Sequence, residues 1–394
     1  MNQTEKVLIV GGGPAGLSAA RAYRNSGGRG EVKILSGDEL APYERPALTK
    51  EYLRGEKSRA DLPLEAEDWY RENAVELRLG VRVESLDLEN RAVGTAGGET
   101  LRYDRLVLAT GSDAMEPPFP VPESGVYLVR SIADADALRK EVSGEARRVV
   151  VVGSGFIGCE AAASLAMLGC EVELVSLEEA PQKERLGEPV SERIAGWLHD
   201  LGVKTRFGRV IERVVRRDGS GDLEARIEDG ESVPGELFVL GTGARARTEL
   251  AEQAGLSVEG GGVVCDASLK TSDESVFACG DIAFAYNEAA ERRLRVEHWG
   301  DALAHGRTAG ETIAGRESAL RAVPGFWSTI GDKTIKYAAW GDGWDEERFV
   351  DRGDGAFTVW YGREGACVGV LTHRYDEDYE RGRKVVEAGG PLPG

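Results

Sequence analysis

The chain has 394 residues, with 68 acidic against 49 basic side chains and a formal charge of -19, which argues against nucleic acid and anionic membranes as partners. Its 41% hydrophobic content is that of a soluble globular protein of two or three domains. The longest apolar runs, such as 106–109 and 149–152, are strand-sized rather than membrane-spanning, and the N-terminus lacks the basic segment and apolar core of a secretory signal. A cytoplasmic location is therefore expected.

Residues 7–10 are a short apolar run that empties into a G-x-G-x-x-G turn, Gly11, Gly12, Gly13, Pro14, Ala15 and Gly16. In this pattern Gly11 allows the tight turn, Gly13 lets the backbone approach a pyrophosphate, and Gly16 lets the next helix pack closely on the strand. A helix over 17–25, a strand over 32–35, and the acids Asp38 and Glu39 at the offset where a ribose is gripped complete a nucleotide-binding unit. A proline-punctuated loop over 42–50 leads into an expected helix through Tyr52 and Leu53. Its Arg45 and Lys50 are placed to meet a pyrophosphate or the electron-accepting edge of a flavin, although either could simply be solvated. Residues 75–110 read as short strands and turns, the last ending in Ala109, Thr110 and Gly111, small residues that suit close approach of a cofactor.

The opening pattern then recurs: strand 149–152, the loop Gly153, Gly155, Phe156, Ile157 and Gly158, a helix over 159–168 and a strand over 172–175. Two such units imply two dinucleotides. At the end of the second unit's second strand stands Ser176, with Glu178 and Glu179 beyond. An acid there grips a ribose 2'-hydroxyl and an arginine a 2'-phosphate. The acids favour NADH, while Lys183 and Arg185 leave NADPH open. A strand and loop through Gly243 close this unit. The strand over 275–279 ends in Gly280 and Asp281 at the expected start of a helix, where the carboxylate either bonds a polyol or caps the helix. Glu297, His298 and Trp299 open a helix running to 313. From about 321, aromatic-rich antiparallel strands announce a small α+β domain, with a charged, partly helical tail over 375–387 and a frayed end. The five cysteines stand singly, so buried free thiols are expected rather than disulfides or a zinc site.

These pieces in this order resemble the two-dinucleotide-binding flavoproteins, and among them the FAD-dependent ferredoxin and rubredoxin reductases that feed electrons to bacterial oxygenases. The likeness covers essentially the whole chain and is most specific at 43–50 (YERPALTK), 280–283 (GDIA), 296–299 (VEHW) and 326–328 (FWS). It implies an α/β fold of glutathione-reductase-like architecture, with two Rossmann-like domains and a C-terminal α+β domain. FAD would bind segments 1–113 and 245–322, NAD(P)H would bind 114–244, and 323–394 would form the third domain. By the same resemblance, Gly11, Gly13, Pro14, Ala15 and Gly16 would hold the FAD pyrophosphate, with Asp38 or Glu39 near its ribose and Arg45 neutralising its phosphates. Ala109, Thr110 and Gly111 would line the FAD site, with Gly280 and Asp281 on the ribityl chain. Trp299 and Trp327 would border the isoalloxazine, and Glu297 and His298 would belong to the cofactor site. Gly153, Gly155, Phe156, Ile157, Gly158, Glu178 and Gly243 would hold NADH. Lys50, beside the flavin and paired with Glu160, would be the catalytic pair.

The chain lacks the cysteine pair of disulfide reductases and the single cysteine of related peroxidases near Lys50, so electrons would leave singly, to a ferredoxin or rubredoxin. A redox sensor of the apoptosis-inducing-factor kind and a peroxide-forming NADH oxidase are the alternatives. Arg292, Arg293 and Arg295 form a candidate basic patch for an acidic partner, or a merely solvated loop. Ala47 and Ser176 depart from the family's usual proline and acid, and the C-terminal domain is short. The protein is expected to be a monomer or dimer.

Overall fold

A computed structural model describes residues 5–144, 146–217 and 221–393. Lys6–Val10, Glu31–Leu35, Val75–Arg78, Arg105–Leu108 and Val276–Ala278 make a parallel five-stranded sheet, with Lys6–Val10 central. These apolar runs form strands because both faces of the sheet are covered, so side chains of either parity are buried. The last of them comes to the sheet only after the chain has built a second one. That sheet is also parallel and five-stranded, in the order Lys204–Arg206, Glu171–Val175, Arg148–Val152, Leu237–Leu240, Val126–Leu128. Each glycine loop therefore leaves the carboxyl end of a central strand, where open α/β sheets bind ligands. The two passages between the sheets, Ser112–Ala114 and Ala244–Ala246, pair with each other as antiparallel strands.

Helix Trp299–Ile313 lies against the first glycine-loop helix, Pro14–Asn25, and the approach depends on glycine. A Cβ on Gly306 would strike the Ala15 carbonyl oxygen, and one on Gly310 the Ala19 carbonyl oxygen. Ser18 Oγ closes the contact by donating to the Leu303 carbonyl at 2.7 Å. This packing brings the N-terminus of the later helix to the first glycine loop.

The C-terminal region is an antiparallel sheet in the order Gly325–Ile330, Lys333–Ala339, Ala366–His373, Ala356–Arg363, Glu346–Gly353. Its last strand was not expected, because EERFVDRG is a charged, largely exposed edge without a clear apolar alternation. The expected frayed end is instead docked. Helix Asp376–Glu387 packs Gly382 against Val370, Leu392 lies against Gly362, and Cys367 N–H donates to the Gly390 carbonyl at 2.8 Å.

Two local expectations are corrected. Arg45–Thr49 is a single 3-10 turn, after which Lys50 departs from helical angles (φ -126°, ψ -112°); Tyr52 and Leu53 are buried in turns, not in a helix. Asp281 does not begin a helix. It sits in the 3-10 turn Gly280–Ile282, which runs straight into strand Ala283–Asn287 because that segment pairs with Gly262–Cys265 and Arg292–Arg295. All five cysteines are free and buried as expected; burial pushes the Cys265 thiol up to about 12 and Cys159 higher still. Among the described residues, no helix is long and apolar enough to cross a membrane.

Candidate active site

The three glycines of each loop do different work. Gly11 and Gly153 take positive φ, +127° and +98°, and a Cβ on either would collide with a carbonyl of the neighbouring strand's exit, Ala109 or Gly241. Gly16 and Gly158 face the carbonyls of Gly11 and Gly153, so a side chain there would push the helix off its strand. The middle glycines are open: a Cβ on Gly13 would meet nothing within 4 Å, and one on Gly155 only the Gln182 amide at 3.9 Å. These two residues are also the N-caps of Pro14–Asn25 and Phe156–Met167, and neither helix has a side-chain cap. Each loop thus presents first-turn N–H groups without a side-chain cap beside open space at its middle glycine, room that fits a pyrophosphate and that an added methyl would obstruct. Pro14, Ala15, Phe156 and Ile157 occupy the first turns, and Ile157 is exposed.

Around the first loop runs a chain of arginine–aspartate pairs. Arg45 Nη2 lies 2.9 Å from Asp38 Oδ2, and its Nη1 donates to the Arg130 carbonyl at 3.0 Å. Asp38 is therefore the engaged acid, while Glu39 is exposed. Arg130 Nη2 reaches Asp281 Oδ2 at 3.0 Å, and Ser112 Oγ donates to the same oxygen. Arg247 bonds Asp113 and drives that carboxyl below the usual range; the Arg247 carbonyl accepts from Thr110 Oγ1 at 2.9 Å. Gly280 packs on Ala15. Gly111 (φ +72°) and Gly243 (φ +102°) shape the two strand exits. Nothing local marked Arg130 or Ser112, which acquire their place only when the two sheets meet.

Lys50 and Glu160 are both buried, with Lys50 Nζ 2.8 Å from Glu160 Oε2. The same oxygen accepts from Thr49 Oγ1 at 2.6 Å. Glu160 Oε1 accepts from Ser328 Oγ at 2.8 Å and from the Thr329 N–H at 3.1 Å. One carboxylate on the second glycine-loop helix thus joins the 45–50 loop to the edge strand of the C-terminal sheet. Thr49, Ser328 and Thr329 carried no signal beyond their neighbourhood in the motifs. Cys159, next to Glu160 in sequence, turns its thiol to the Ser154 carbonyl at 3.3 Å and is held protonated by burial.

His298 occupies the N-cap position of helix Trp299–Ile313 without a side-chain cap, its ring tilted against Phe326 (centroids 4.8 Å) and 3.4 Å from Asp301 Oδ2; Asp301 also accepts from the Gly325 N–H at 3.3 Å. Burial raises the Glu297 carboxyl, and Arg295, 3.1 Å away, opposes this. Trp299 is half-buried and Trp327 is 39% exposed. At the second loop Phe156 packs against Phe326 at 4.5 Å. Ser176 is no acid, yet it anchors one beside the second loop: Ser154 Oγ, 2.8 Å from Ser176 Oγ, donates to Glu178 Oε2 at 2.8 Å, and Ser176 Oγ accepts the Glu178 N–H at 3.2 Å. Lys183 turns to Glu188 at 3.2 Å, and Arg185 covers the Phe156 ring. The basic patch is largely neutralised: Arg292 pairs with Asp342, Arg295 with Glu297, and Arg293 donates to the Cys265 carbonyl.

Two such loops on two parallel sheets define a dinucleotide-binding protein, and residues 5–306 match the model of the pyridine nucleotide-disulphide oxidoreductase family, to which the chain belongs. It is 33% identical to a ferredoxin–NAD(P)(+) reductase of a Sphingomonas species, covering 97% of this chain and 92% of the relative. It is 30% identical to the putidaredoxin reductase of Pseudomonas putida, over 98% and 92% of the two chains. The solved covalent putidaredoxin reductase–putidaredoxin complex superposes with a TM-score of 0.93 at 27% identity, over 99% of this chain and 94% of that one. The chain is accordingly a flavoprotein whose cofactors are FAD and NAD(P)H.

Proposed function

We propose that this protein draws electrons from NADH through FAD and passes them singly to a ferredoxin- or rubredoxin-type iron–sulfur protein. The observation that carries the reading is the buried Lys50–Glu160 pair, which ties the 45–50 loop to the helix after the second glycine loop, with the neighbouring Cys159 thiol bonded to the Ser154 carbonyl and kept protonated by burial. The names of the relatives point the same way. Bound FAD would supply a two-electron acceptor for hydride that releases electrons one at a time.

In this reading FAD is held by segments 1–113 and 245–322 and NADH by 114–244, with 323–394 as the C-terminal α+β domain; the paired passages at 112–114 and 244–246 support the division between the first two. The first loop and Arg45 neutralise the FAD pyrophosphate, and Asp281, oriented by Arg130 and Ser112, bonds its polyol. Lys50 places a cation against negative charge that accumulates on reduction, while Glu160 keeps that cation fixed and compensated in the buried state. Phe156 and Phe326 exclude water from the nicotinamide side. Glu178 grips the NADH ribose. The enzyme works in the cytoplasm.

The test is stopped-flow reduction of the purified yellow protein by NADH and NADPH, followed by mixing with ferredoxins, rubredoxins and oxygen. Fast reduction by NADH and fast discharge to an iron–sulfur protein, with little peroxide, is the expected result. A stable long-wavelength complex that no such protein discharges, or stoichiometric peroxide, would overturn it.

A further inference from the structure

The two oxygens of Glu160 serve different parts of the molecule. Oε2 takes Lys50 Nζ and Thr49 Oγ1 from the 45–50 loop; Oε1 takes Ser328 Oγ and Thr329 N–H from strand Gly325–Ile330. That strand lies at the edge of its sheet, so the Thr329 amide is free of a second ladder and its position is fixed by the backbone. Among the described residues the Ser328 hydroxyl is the one side-chain donor on Oε1, and Ser328 is 1% exposed, so the bond is shielded from bulk solvent. Its neighbour Trp327 points the other way, towards solvent.

We propose that Ser328 is a positioning residue for Lys50, acting through Glu160, so that the C-terminal sheet sets how much of the lysine charge is available to the cofactor. The inference rests on the function proposed above. Donors on Oε1 draw carboxylate charge away from Oε2 and hold the carboxylate plane in the orientation that keeps Oε2 2.8 Å from Nζ. Without the Ser328 hydroxyl, Oε1 keeps a single donor, charge concentrates on Oε2, and the ammonium is drawn more firmly to Glu160. Less of its field then reaches the place where negative charge develops on reduction.

Potentiometric titration and stopped-flow reduction by NADH of FAD-loaded Ser328→Ala, Ser328→Cys and Ser328→Thr test this. The alanine variant should show a lowered FAD reduction potential and reduction slowed about tenfold, the scale of losing one hydrogen bond to a charged group, with FAD content and NADH KM unchanged. Threonine, which keeps the hydroxyl, should restore both values. The cysteine variant, with a weaker donor of similar size, should fall between them and carries the test if alanine fails to fold. An unchanged or raised potential, no rescue by threonine, or a rate loss that tracks FAD release would overturn the inference. The unsubstituted protein is assayed first: failure to bind FAD or to be reduced by NADH brings down the proposed function and this inference with it, whereas normal reduction with an unmoved potential in Ser328→Ala brings down this inference alone.

Discussion

Replacing Glu160 by glutamine keeps the size of the side chain and removes its charge, and the structure sets the cost from two sides. An amide has one acceptor oxygen, yet the site offers two pairs of donors, Thr49 with Lys50 and Ser328 with Thr329. Whichever pair meets the amide nitrogen loses its acceptor. In addition, the Lys50 ammonium, whose side chain is 6% exposed, is left buried without a counter-charge. Removing one partner of a buried ion pair costs about 3–5 kcal/mol, and the lost hydrogen bonds overlap with that figure instead of adding to it. Guanidinium unfolding of Glu160→Gln should therefore show a loss of about 3–5 kcal/mol. Lys50→Met alone removes the other charge, and the double variant should recover about 2 kcal/mol relative to the sum of the single losses, as expected for groups in direct contact. A Glu160→Gln loss below about 1 kcal/mol, or strictly additive single changes, would refute the assignment of a buried, mutually dependent pair.

The two kinds of loop glycine should separate on substitution. Gly13→Ala places its methyl in open space and should fold with near-normal thermal stability while losing most bound FAD, whereas Gly16→Ala meets the Gly11 carbonyl and should lower the melting temperature of the FAD-free protein as well; equal behaviour in FAD titration and calorimetry would contradict the distinction. Arg130→Ala removes a guanidinium that orients Asp281 and should weaken FAD binding on the order of tenfold or more by fluorescence titration, with unchanged affinity counting against the arginine–aspartate chain. Glu178→Ala should raise the NADH KM about tenfold, the scale of one hydrogen bond to a charged group, and narrow the preference over NADPH; an intact preference would show that another residue reads the ribose. Burial lowers the pKa of His305 and His373, so both take up a proton less readily in the folded chain than their unfolded counterparts, which protonate below about pH 6.5. The unfolded state then binds the extra protons, and stability falls as pH drops from 7 to 5, by at most about 1.4 kcal/mol per pH unit for each histidine. Melting curves of His305→Asn and His373→Asn should flatten that slope; the same slope in both would disprove their part in it.

Much of the site was written locally. Glycine spacing, the apolar run before it and the alanine-rich run after it define each loop because all three are short-range consequences of strand, turn and helix sterics, and both loops formed over the anticipated residues. Lys50 and Glu160, 110 positions apart, were linked by resemblance, and the contact between them is present. Two strands went unread because only a neighbouring element imposes them. Residues 283–287 became a strand because two others offered them a ladder, and the charged stretch 346–353 became one by pairing on a single side.

The chain by itself thus determined two dinucleotide loops and their order, since each depends on residue type at short spacing, whereas the Lys50–Glu160 pair came from resemblance alone. Only the tertiary structure decided which acids and cations are engaged. It made Arg130 and Ser112 the partners of Asp281, let Glu178 approach the second loop through two serine hydroxyls where Ser176 holds the strand end, and spent the charges of Arg292 and Arg295 on Asp342 and Glu297. It also placed Ser328 and Thr329 on the free oxygen of Glu160. The reason is physical: a buried carboxylate must find its donors wherever packing brings them, and sequence distance carries no record of which strand edge will lie alongside.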